Sequence, residues 1–500
     1  MPSLSSTLVS VSALLGATSA SVDVTRKGFG LQRLKHQQTL QAKEPTDCEH
    51  VEEFRFKNAV IDNFSPINEQ KLWEGEGQRY WLNKEFWAGP GAPVFVFIGG
   101  EGEESCSRLT SRMYLWDLAK EHNALLMNVE HRFYGESYPT RDMTTDNLKY
   151  LSSQQGLADL ARIITQVKED LGTEASEVVT VGGSYPGNMA AWFKLKYPAI
   201  STGSIASSAP LTAKANFFEY MEVVADALVY FSGQQCFDDF TVAAEAVADL
   251  ARQGVGSAGF QQLEHDFATC SSMGSTKDLS ILLSDLMGNV QGTIQYNNEK
   301  AGVMNVTDIC GTMTSDKYGA TAYDRFVTLS SQYRDYYGQS CEDASWQDSV
   351  QYLANPAYDP ANNMRPWTYQ TCNEFGYYQT TDSPRQPWHS WTQLDMDFYR
   401  DLCFEGFDGW KADPQTSWMN SVYGDIGIDG TDIIFPAGTI DPWHALGVTN
   451  TTKLPQESEH ALYILGTAHC ADLYAPANDD PASLTSAREV IAAQVAAWVQ

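Results

Sequence analysis

Val179-Thr-Val-Gly-Gly-Ser184-Tyr-Pro-Gly187 is a β-branched run that leads directly into two glycines and a serine. A helical pattern follows over residues 188–197 and stops before Pro198. A Gly-x-Ser turn between a strand and a helix predicts a nucleophilic serine, because small neighbours permit the strained turn that exposes the hydroxyl above a sheet. The N–H of Tyr185, at the start of the helix, is then the first candidate donor to an oxyanion.

Pro186 departs from the Gly-x-Ser-x-Gly pattern of such turns. Proline in the first turn of a helix costs little, since its missing N–H would have no intrahelical acceptor. The alternative is that Gly182 and Gly183 form an ordinary turn and that Ser184 only caps the helix. A serine hydroxyl is a poor nucleophile without a base, so the hypothesis requires a histidine and an acid elsewhere in the chain.

Short apolar runs alternate with helical patterns between residues 90 and 210, which predicts a largely parallel sheet covered by helices on both faces. Strand patterns return near the carboxyl terminus, before an amphipathic helix. The predicted strands are residues 93–98, 124–129, 177–181, 204–206, 432–435 and 461–465, and the predicted helices include residues 157–171 and 484–499. We predict an α/β-hydrolase core built from residues 48–212 and 426–500.

The pattern changes after about residue 213, where several helical segments and irregular stretches rich in Tyr and Trp follow. Six of the nine cysteines fall between Cys236 and Cys403. Cysteines concentrated in this way are typical of a segment cross-linked by disulfides. We interpret residues 213–425 as a largely helical cap inserted between the two parts of the core.

Two downstream strand ends supply the acid and the base. Asp441 closes Phe435-Pro-Ala-Gly-Thr-Ile-Asp441 after one strand, and His469 closes Leu465-Gly-Thr-Ala-His469 after the next. Serine, acid and histidine then follow one another in the chain order of the α/β-hydrolase fold. We predict that Ser184, Asp441 and His469 form a catalytic triad.

Other polar residues and one glycine loop also lie near predicted strand ends, and most of them have a simpler predicted role than catalysis. His444 is the rival base, but it lies three residues from Asp441, too local to reach a separate serine turn easily. His131 is predicted to be structural, with Glu130 and Arg132 as a packing or ion-pair element, and Asp472 to accept a local hydrogen bond. The loop Gly99-Gly-Glu-Gly102 follows a strand, so Gly100 is the second candidate oxyanion donor, with an ordinary glycine turn as the alternative.

The composition is strongly acidic, with 63 Asp and Glu against 33 Lys and Arg and a formal charge of −30. Such a charge repels nucleic acid and anionic membranes, so neither is a predicted partner. No cysteine or histidine spacing is typical of zinc, so no metal is predicted, and no cofactor either. A peptide substrate is the predicted partner, and a homodimer stays open.

The amino-terminal segment and the cysteines indicate the secretory pathway. Residues 1–20 are predicted to be a signal peptide and residues 21–47 a leader or propeptide, and no later segment is apolar enough for a membrane anchor. Most of the nine cysteines should be paired, with at least one left as a free thiol or in an intermolecular bridge. Glycosylation is predicted at the sequons of Asn63, Asn305 and Asn450.

Seven stretches, in order from about residue 54 to the carboxyl terminus, together resemble the S28 family of serine peptidases. That family includes prolyl carboxypeptidase, dipeptidyl peptidase II and thymus-specific serine protease. The stretches are Gln78-Arg-Tyr-Trp81, Glu130-His-Arg-Phe-Tyr-Gly-Glu-Ser137, Gly182-Gly-Ser-Tyr185, Ser207-Ser-Ala-Pro210, Gln370-Thr-Cys-Asn-Glu-Phe-Gly376, Asp441-Pro-Trp443 and His469-Cys-Ala-Asp-Leu473. Residues 435–446 look closest to the thymus-specific branch.

The resemblance implies an α/β-hydrolase core with a helical cap and cleavage of peptides on the carboxyl side of proline. It also implies a secreted, lysosomal or vacuolar location and supports the triad through its own motifs. It suggests the disulfide Cys372–Cys403, and it places Trp443 in the wall of the S1 pocket, with simple core packing as the alternative.

A cap over the serine turn favours the ends of peptide chains over folded proteins. Glu374, or another cap carboxylate, would bind a free amino terminus in a dipeptidyl peptidase, whereas an Arg or Lys there would suit a carboxypeptidase. Two further functions are open: a carboxylic-ester hydrolase on the same fold, and a catalytically silent binding protein of the secretory pathway. An intact set of serine, acid and histidine argues against the silent protein, because binding needs none of the three.

Overall fold

The computed structural model describes residues 48–298, 303–360 and 363–500. The predicted signal peptide and leader, residues 1–20 and 21–47, lie outside the described residues. The strands are β1 (Val51–Phe56), β2 (Gln78–Asn83), β3 (Val94–Ile98), β4 (Leu125–Val129), β5 (Val178–Gly183), β6 (Gly203–Ser207), β7 (Lys214–Asn216), β8 (Gly376–Tyr378), β9 (Ile433–Gly438) and β10 (Glu459–Ile464).

Eight of these strands form one sheet in the order β1-β2-β4-β3-β5-β6-β9-β10. The pairs β1–β2 and β2–β4 are antiparallel, and the remaining neighbours are parallel. Every residue of β3, β4 and β6 is buried. Continuous burial is expected for parallel strands that are covered on both faces, so the architecture confirms the predicted α/β-hydrolase core.

Helices cover the sheet and build the segment between β7 and β9. They are α1 (Tyr114–His122), α2 (Thr145–Leu148), α3 (Ser153–Asp170), α4 (Tyr185–Lys196), α5 (Glu219–Ser232), α6 (Gln234–Ala251), α7 (Ala258–Asp266), α8 (Thr276–Gln295), α9 (Val306–Met313), α10 (Ala322–Tyr337), α11 (Trp346–Ala354), α12 (Met364–Gln370), α13 (Met396–Gly406), α14 (Thr416–Tyr423) and α15 (Ala482–Trp498). The small sheet β7–β8 joins the start of this segment to residues near its end.

The edge hairpin β1–β2 is missing from the strands predicted above. Its first strand, Val-Glu-Glu-Phe-Arg-Phe, lacks a regular alternation of apolar and polar residues, and most of its side chains are at least partly exposed. An edge strand beside antiparallel neighbours needs no continuous apolar run. The sequence pattern therefore carries little signal there.

Four disulfides are present in the described parts of the chain. Cys48–Cys106 joins the segment before β1 to the loop after β3, and the other three lie within the cap. The predicted pair Cys372–Cys403 is confirmed, and the remaining two are Cys236–Cys310 and Cys270–Cys341. Cys470 is the free cysteine, so the odd thiol lies directly after the candidate catalytic histidine.

One predicted glycosylation site is hydrogen-bonded to helix α3. The side-chain nitrogen of Asn63 donates to Asp159 Oδ1 at 2.8 Å and to Gln155 Oε1 at 3.1 Å. A glycosylated nitrogen would keep only one N–H for these two acceptors, and glycosylation of Asn63 stays a prediction. Asn305 caps α9 through its side-chain oxygen, and Asn450 is exposed; glycosylation of these two also stays a prediction.

No helix within the described ranges is long and apolar enough to cross a membrane. The same residues contain no group of three or more His, Cys, Asp or Glu side chains that could hold a metal ion.

A fully buried ion pair fixes one edge of the core. Arg132 donates to both oxygens of Asp159, at 2.6 and 2.7 Å, and also to the backbone carbonyls of Ile61 and Tyr150. Arg132→Met should lower the free energy of unfolding by about 3–5 kcal/mol, because it leaves the carboxylate of Asp159 buried without its counter-charge. Urea unfolding followed by tryptophan fluorescence measures the change.

Arg141→Met is the matched control, since Arg141 is 86% exposed and lies 3.9 Å from Glu74. Its effect should stay within about 0.5 kcal/mol. Equal unfolding curves for the two variants would show that the buried pair contributes nothing specific.

Candidate active site

Ser184 occupies a sharp turn between the end of β5 and the start of α4. Its backbone has φ 65° and ψ −132°, a region that non-glycine residues rarely adopt and that costs about 1–3 kcal/mol. The N–H of Ser184 donates to the carbonyl of Ser207, on β6, at 3.0 Å. This hydrogen bond to the neighbouring strand stabilises the strained turn between strand and helix that the sequence predicted.

Close packing around this turn requires small residues. A β carbon at Gly182 would lie 2.0 Å from the carbonyl oxygen of Pro186, so no larger residue fits there. Pro186 itself sits in the first turn of α4, where its missing N–H has no intrahelical acceptor to lose. The departure from the Gly-x-Ser-x-Gly pattern is therefore compatible with the geometry.

The loop after β3 packs against this same helix start. A β carbon at Gly100 would lie 2.3 Å from Cγ of Pro186, so the backbone of Gly100 runs directly beside the first turn of α4. Tyr185 is the first residue of that helix, and its N–H is among the four that have no intrahelical acceptor. Both candidate oxyanion donors, Gly100 and Tyr185, thus belong to segments in contact with each other next to Ser184.

Asp441 and His469 form a buried pair at the ends of neighbouring parallel strands. Asp441 follows β9, and its Oδ1 accepts hydrogen bonds from the N–H of Trp443 at 3.0 Å and from Nδ1 of His469 at 2.8 Å. Both side chains are almost fully buried. Burial lowers the pKa of His469, but the charge of Asp441, the neighbouring Cys470 and the hydrogen bond to Asp441 together raise that pKa well above the ordinary 6.5.

The histidine loop packs on the serine turn. A β carbon at Gly183 would lie 2.7 Å from Sγ of Cys470, the residue after His469. The buried Nε2 of His469 has no hydrogen-bond partner among the described residues. The structure therefore brings the turn of Ser184 together with the His469 loop and leaves the second imidazole nitrogen available.

The stretch Ser207–Pro210 links the two loops. The hydroxyl of Ser208 accepts a hydrogen bond from the N–H of Cys470 at 2.9 Å, while the hydroxyl of Ser207 donates to Asp472 at 2.5 Å. Asp472 is therefore an acceptor as predicted, but its partner is on β6 and not local. Burial raises the pKa of Asp472 to about 6.

His444 is not paired with the carboxylate of Asp441. Its Nε2 lies 3.1 Å from the hydroxyl of Tyr463, and burial lowers its pKa. Of the two histidines near Asp441, His469 is therefore the candidate base, because its ring and not that of His444 is hydrogen-bonded to the carboxylate.

The neighbours of His131 differ in part from the prediction. Glu130 pairs with Arg79, at 2.6 Å, and Arg132 with Asp159, so these two residues do not pair with each other. His131 itself contacts the hydroxyl of Tyr185 through Nε2 at 3.0 Å and the carbonyl of Arg132 through Nδ1 at 2.8 Å. Burial lowers the pKa of His131 to about 4, so the neutral ring donates through Nδ1 and accepts from Tyr185.

A cavity of about 150 Å³ opens between Ser184 and the cap. Trp443 contributes to its wall, and the indole N–H donates to Gln295 Oε1 at 2.9 Å. A role of Trp443 in the S1 pocket stays a prediction. Other aromatic rings of the lining are Tyr185, Tyr296, Trp367, Tyr377 and Tyr378. The cavity therefore presents flat apolar surfaces next to the candidate nucleophile.

Glu374 does not lie where the amine-binding hypothesis places it. The carboxylate accepts hydrogen bonds from the hydroxyl of Ser153 at 2.8 Å and from Gln370 at 3.2 Å, and it is absent from the described lining of the cavity. Burial raises the pKa of Glu374 to about 7. Glu374 is thus part of the packing behind Tyr185, and the prediction of substrate contact was wrong.

The central sheet and the strand-to-helix turn at Ser184 define an α/β-hydrolase. The family model for serine carboxypeptidase S28 matches residues 59–491, and the chain belongs to this family of serine peptidases. The resemblance noted in the sequence is thereby confirmed.

Several known proteins are similar to this chain. The thymus-specific serine protease of Mus musculus is 32% identical over 85% of this chain and 84% of that protein. The lysosomal Pro-X carboxypeptidase of Bos taurus is 29% identical over 89% and 87%. Among solved structures, the proline iminopeptidase of Mycobacterium smegmatis matches 84% of this chain and 94% of that chain, with 11% identity and a TM-score of 0.35.

The hydrogen bond between Asp441 and His469 predicts a titration. In Ser184→Ala, the ring protons of His469 should titrate above pH 6.5, because the carboxylate favours the imidazolium. Asp441→Asn should lower that pKa, since it removes the charge and preserves the size. Two-dimensional NMR, with His469→Gln to assign the signal among the nine histidines, measures both.

Because a general base must be neutral, activity should fall as the pH drops through the same value. The pairing would be contradicted if the pKa of His469 in Ser184→Ala were 6.5 or lower, or if Asp441→Asn left that pKa unchanged.

Proposed function

We propose that this chain is a serine exopeptidase in which Ser184 is the nucleophile, His469 the general base and Asp441 the residue that orients the imidazole. The observation that carries the proposal is the buried 2.8 Å hydrogen bond between Asp441 and His469, whose loop packs on the turn of Ser184. Membership of a serine peptidase family supports the same reaction class.

The proposed reaction follows from these positions. Nε2 of His469 takes the proton of the Ser184 hydroxyl while Oγ attacks the carbonyl carbon of the scissile bond. The carbonyl oxygen becomes an oxyanion, which accepts hydrogen bonds from the N–H groups of Tyr185 and Gly100. His469 then protonates the leaving amine, and water hydrolyses the acyl-enzyme through the same base. Asp441 stays ionised and stabilises the imidazolium.

The cavity supports short peptides as substrates. Its volume of about 150 Å³ is below the ~300–1,000 Å³ that is usual for drug-sized ligands. The cap residues that line it leave room for the end of an extended chain beside Ser184. A folded protein segment does not fit such a space, so we favour an exopeptidase over an endopeptidase.

Proline is the proposed residue on the amino side of the cleaved bond. Several aromatic rings contribute to the lining, among them Trp443 and Tyr377, which pack edge to face with their ring centroids 5.3 Å apart. Such surfaces suit a compact apolar ring. The name of the Pro-X carboxypeptidase, 29% identical to this chain, agrees with this preference.

The proposed compartment is the lumen of the secretory pathway, ending outside the cell or in a lysosome or vacuole. Four disulfides support it, because such bonds persist in oxidising compartments. The lysosomal designation of the bovine relative agrees with it.

Removal of the nucleophile or the base should abolish turnover. Ser184→Ala and His469→Ala should each lower kcat by about 10⁴-fold or more, because the serine and histidine act as one unit. A fluorophosphonate should label the wild type at Ser184 and not label Ser184→Ala. A panel of fluorogenic peptides that varies the residue before the cleaved bond gives the rates, with proline expected to be best.

His265→Ala provides the control, since the ring of His265 is 87% exposed and pairs with Asp266; its turnover should be unchanged. Hydrolysis of p-nitrophenyl esters without cleavage of any peptide would instead indicate a carboxylic-ester hydrolase. Absence of labelling in the folded wild type would indicate a silent protein.

The proposed oxyanion donors predict a difference between two glycines of one loop. Gly100→Ala should lower kcat by about 10²- to 10³-fold, because the β carbon collides with Pro186 and moves the Gly100 N–H. Gly102→Ala should change kcat by less than about threefold, since its β carbon would meet nothing closer than 3.9 Å. Steady-state kinetics compares them, and equal activity of both variants would exclude the Gly100 loop from catalysis.

A further inference from the structure

Glu101 is an unexplained carboxylate at the candidate active site. It follows Gly100 directly in the chain, and it lines the same cavity as Ser184. Its Oε2 atom is buried and has no hydrogen-bond partner among the described residues. Buried carboxylate oxygens are normally paired, so this oxygen is expected to meet a partner that enters from the cavity.

The side chains around the cavity favour a partner with a positive charge. The described residues of its lining include two carboxyl side chains, Glu101 and Asp285, and no Lys, Arg or His. A substrate carboxylate would therefore lie beside carboxyl groups without a cation in the lining, and the cations that act on this region, His469 and Arg108, already interact with Glu101. Its burial there is unfavourable. An ammonium group would instead gain a counter-charge and a hydrogen-bond acceptor.

The loop of Glu101 has the right position for a substrate group. Gly100 packs on the first turn of α4, beside the proposed oxyanion donors, so Glu101 extends into the cavity close to the reacting carbonyl. Its charge is near enough to interact with that of His469. Burial raises the pKa of Glu101, and a bound ammonium would favour its ionised form.

We propose that Glu101 binds the free α-ammonium group of the peptide, so that the enzyme cleaves from the amino terminus. This inference rests on the proposed peptidase function and names its substrate class: short peptides with an unblocked amino terminus and proline before the cleaved bond. It assigns to Glu101 the role that the sequence had suggested for Glu374 or another cap carboxylate. Glu101, in contrast, belongs to the core.

Paired substrates separate this role from others. Gly-Pro-aminomethylcoumarin carries a free amine, and acetyl-Gly-Pro-aminomethylcoumarin is identical except for the blocked amine. Wild-type kcat/KM should be about 10- to 100-fold higher on the free substrate, which is the range expected for a charged hydrogen bond. Glu101→Gln should abolish this difference, mainly by raising KM for the free substrate, and should lower kcat/KM on the free substrate at least about tenfold more than on the acetylated one.

Glu103→Gln is the matched control, because Glu103 lies on the same loop with its side chain 47% exposed beside Arg79. It should preserve the preference for the free amine. Fluorophosphonate labelling of Glu101→Gln at Ser184 shows that the fold and the nucleophile are intact.

Three results would overturn the inference. Equal wild-type rates on the free and acetylated substrates would show that no amine is recognised. Equal losses on both substrates in Glu101→Gln would show that Glu101 acts through His469 and not on the peptide. Release of phenylalanine from acetyl-Pro-Phe in preference to cleavage of the free substrate would indicate a carboxypeptidase. In all three cases the peptidase function stands, whereas failure of the wild type to cleave any peptide removes that function itself.

Discussion

The backbone at Ser184 has to pass from the end of a buried strand into a helix within a single residue, and the rest of the site depends on this turn. The conformation is strained, with φ 65°, and a hydrogen bond from the Ser184 N–H to β6 holds it in place. The close approach of Gly182 to Pro186 leaves no room for a side chain. The serine hydroxyl is thus held by backbone packing, and its position requires no mobile side chain.

Parallel strands explain why distant stretches of chain meet at this turn. The carboxyl ends of β5, β9 and β10 lie at one edge of the sheet, which brings the loops after them together. Behind the serine, Tyr185 is anchored by His131 and Gln370, at 3.0 and 3.2 Å, and Gln370 in turn contacts Glu374. Core and cap are therefore joined by buried hydrogen bonds directly beneath a proposed oxyanion donor.

The sequence was sufficient for the parts of the fold that have strong periodicity or tight steric limits. The apolar runs of β3 to β6, the Gly-x-Ser turn, and the pairing of Asp441 with His469 at strand ends were all predicted from local pattern and chain order. The edge strand β1 was missed, because its side chains are partly exposed and lack a regular alternation. Its neighbour β2 is almost fully buried, but its sequence, Gln-Arg-Tyr-Trp-Leu-Asn, mixes polar and aromatic residues and contains no long apolar run.

Roles set by long-range packing could not be predicted in the same way. Glu374 looked like a substrate ligand because it lies in a family motif, yet Ser153, 221 residues earlier in the chain, occupies its carboxylate. Glu101 was not predicted, because the glycines around it in Gly99–Gly102 indicate a role for the backbone and not for a side chain. Asn63 fits the sequon pattern, which does not indicate that its amide donates to helix α3. In each case the partner that determines the role is remote in sequence.

The central claim is that the hydroxyl of Ser184 attacks a carbonyl whose oxygen is held by the N–H groups of Tyr185 and Gly100, with Nε2 of His469 as the base. A crystal structure of the enzyme after reaction with a dipeptide phosphonate tests it most directly. The account predicts phosphorus bonded to Oγ of Ser184, one phosphoryl oxygen within hydrogen-bond distance of both N–H groups, and His469 Nε2 beside Oγ. A phosphonate bonded to another residue, or an adduct whose phosphoryl oxygen points away from both donors, would contradict it.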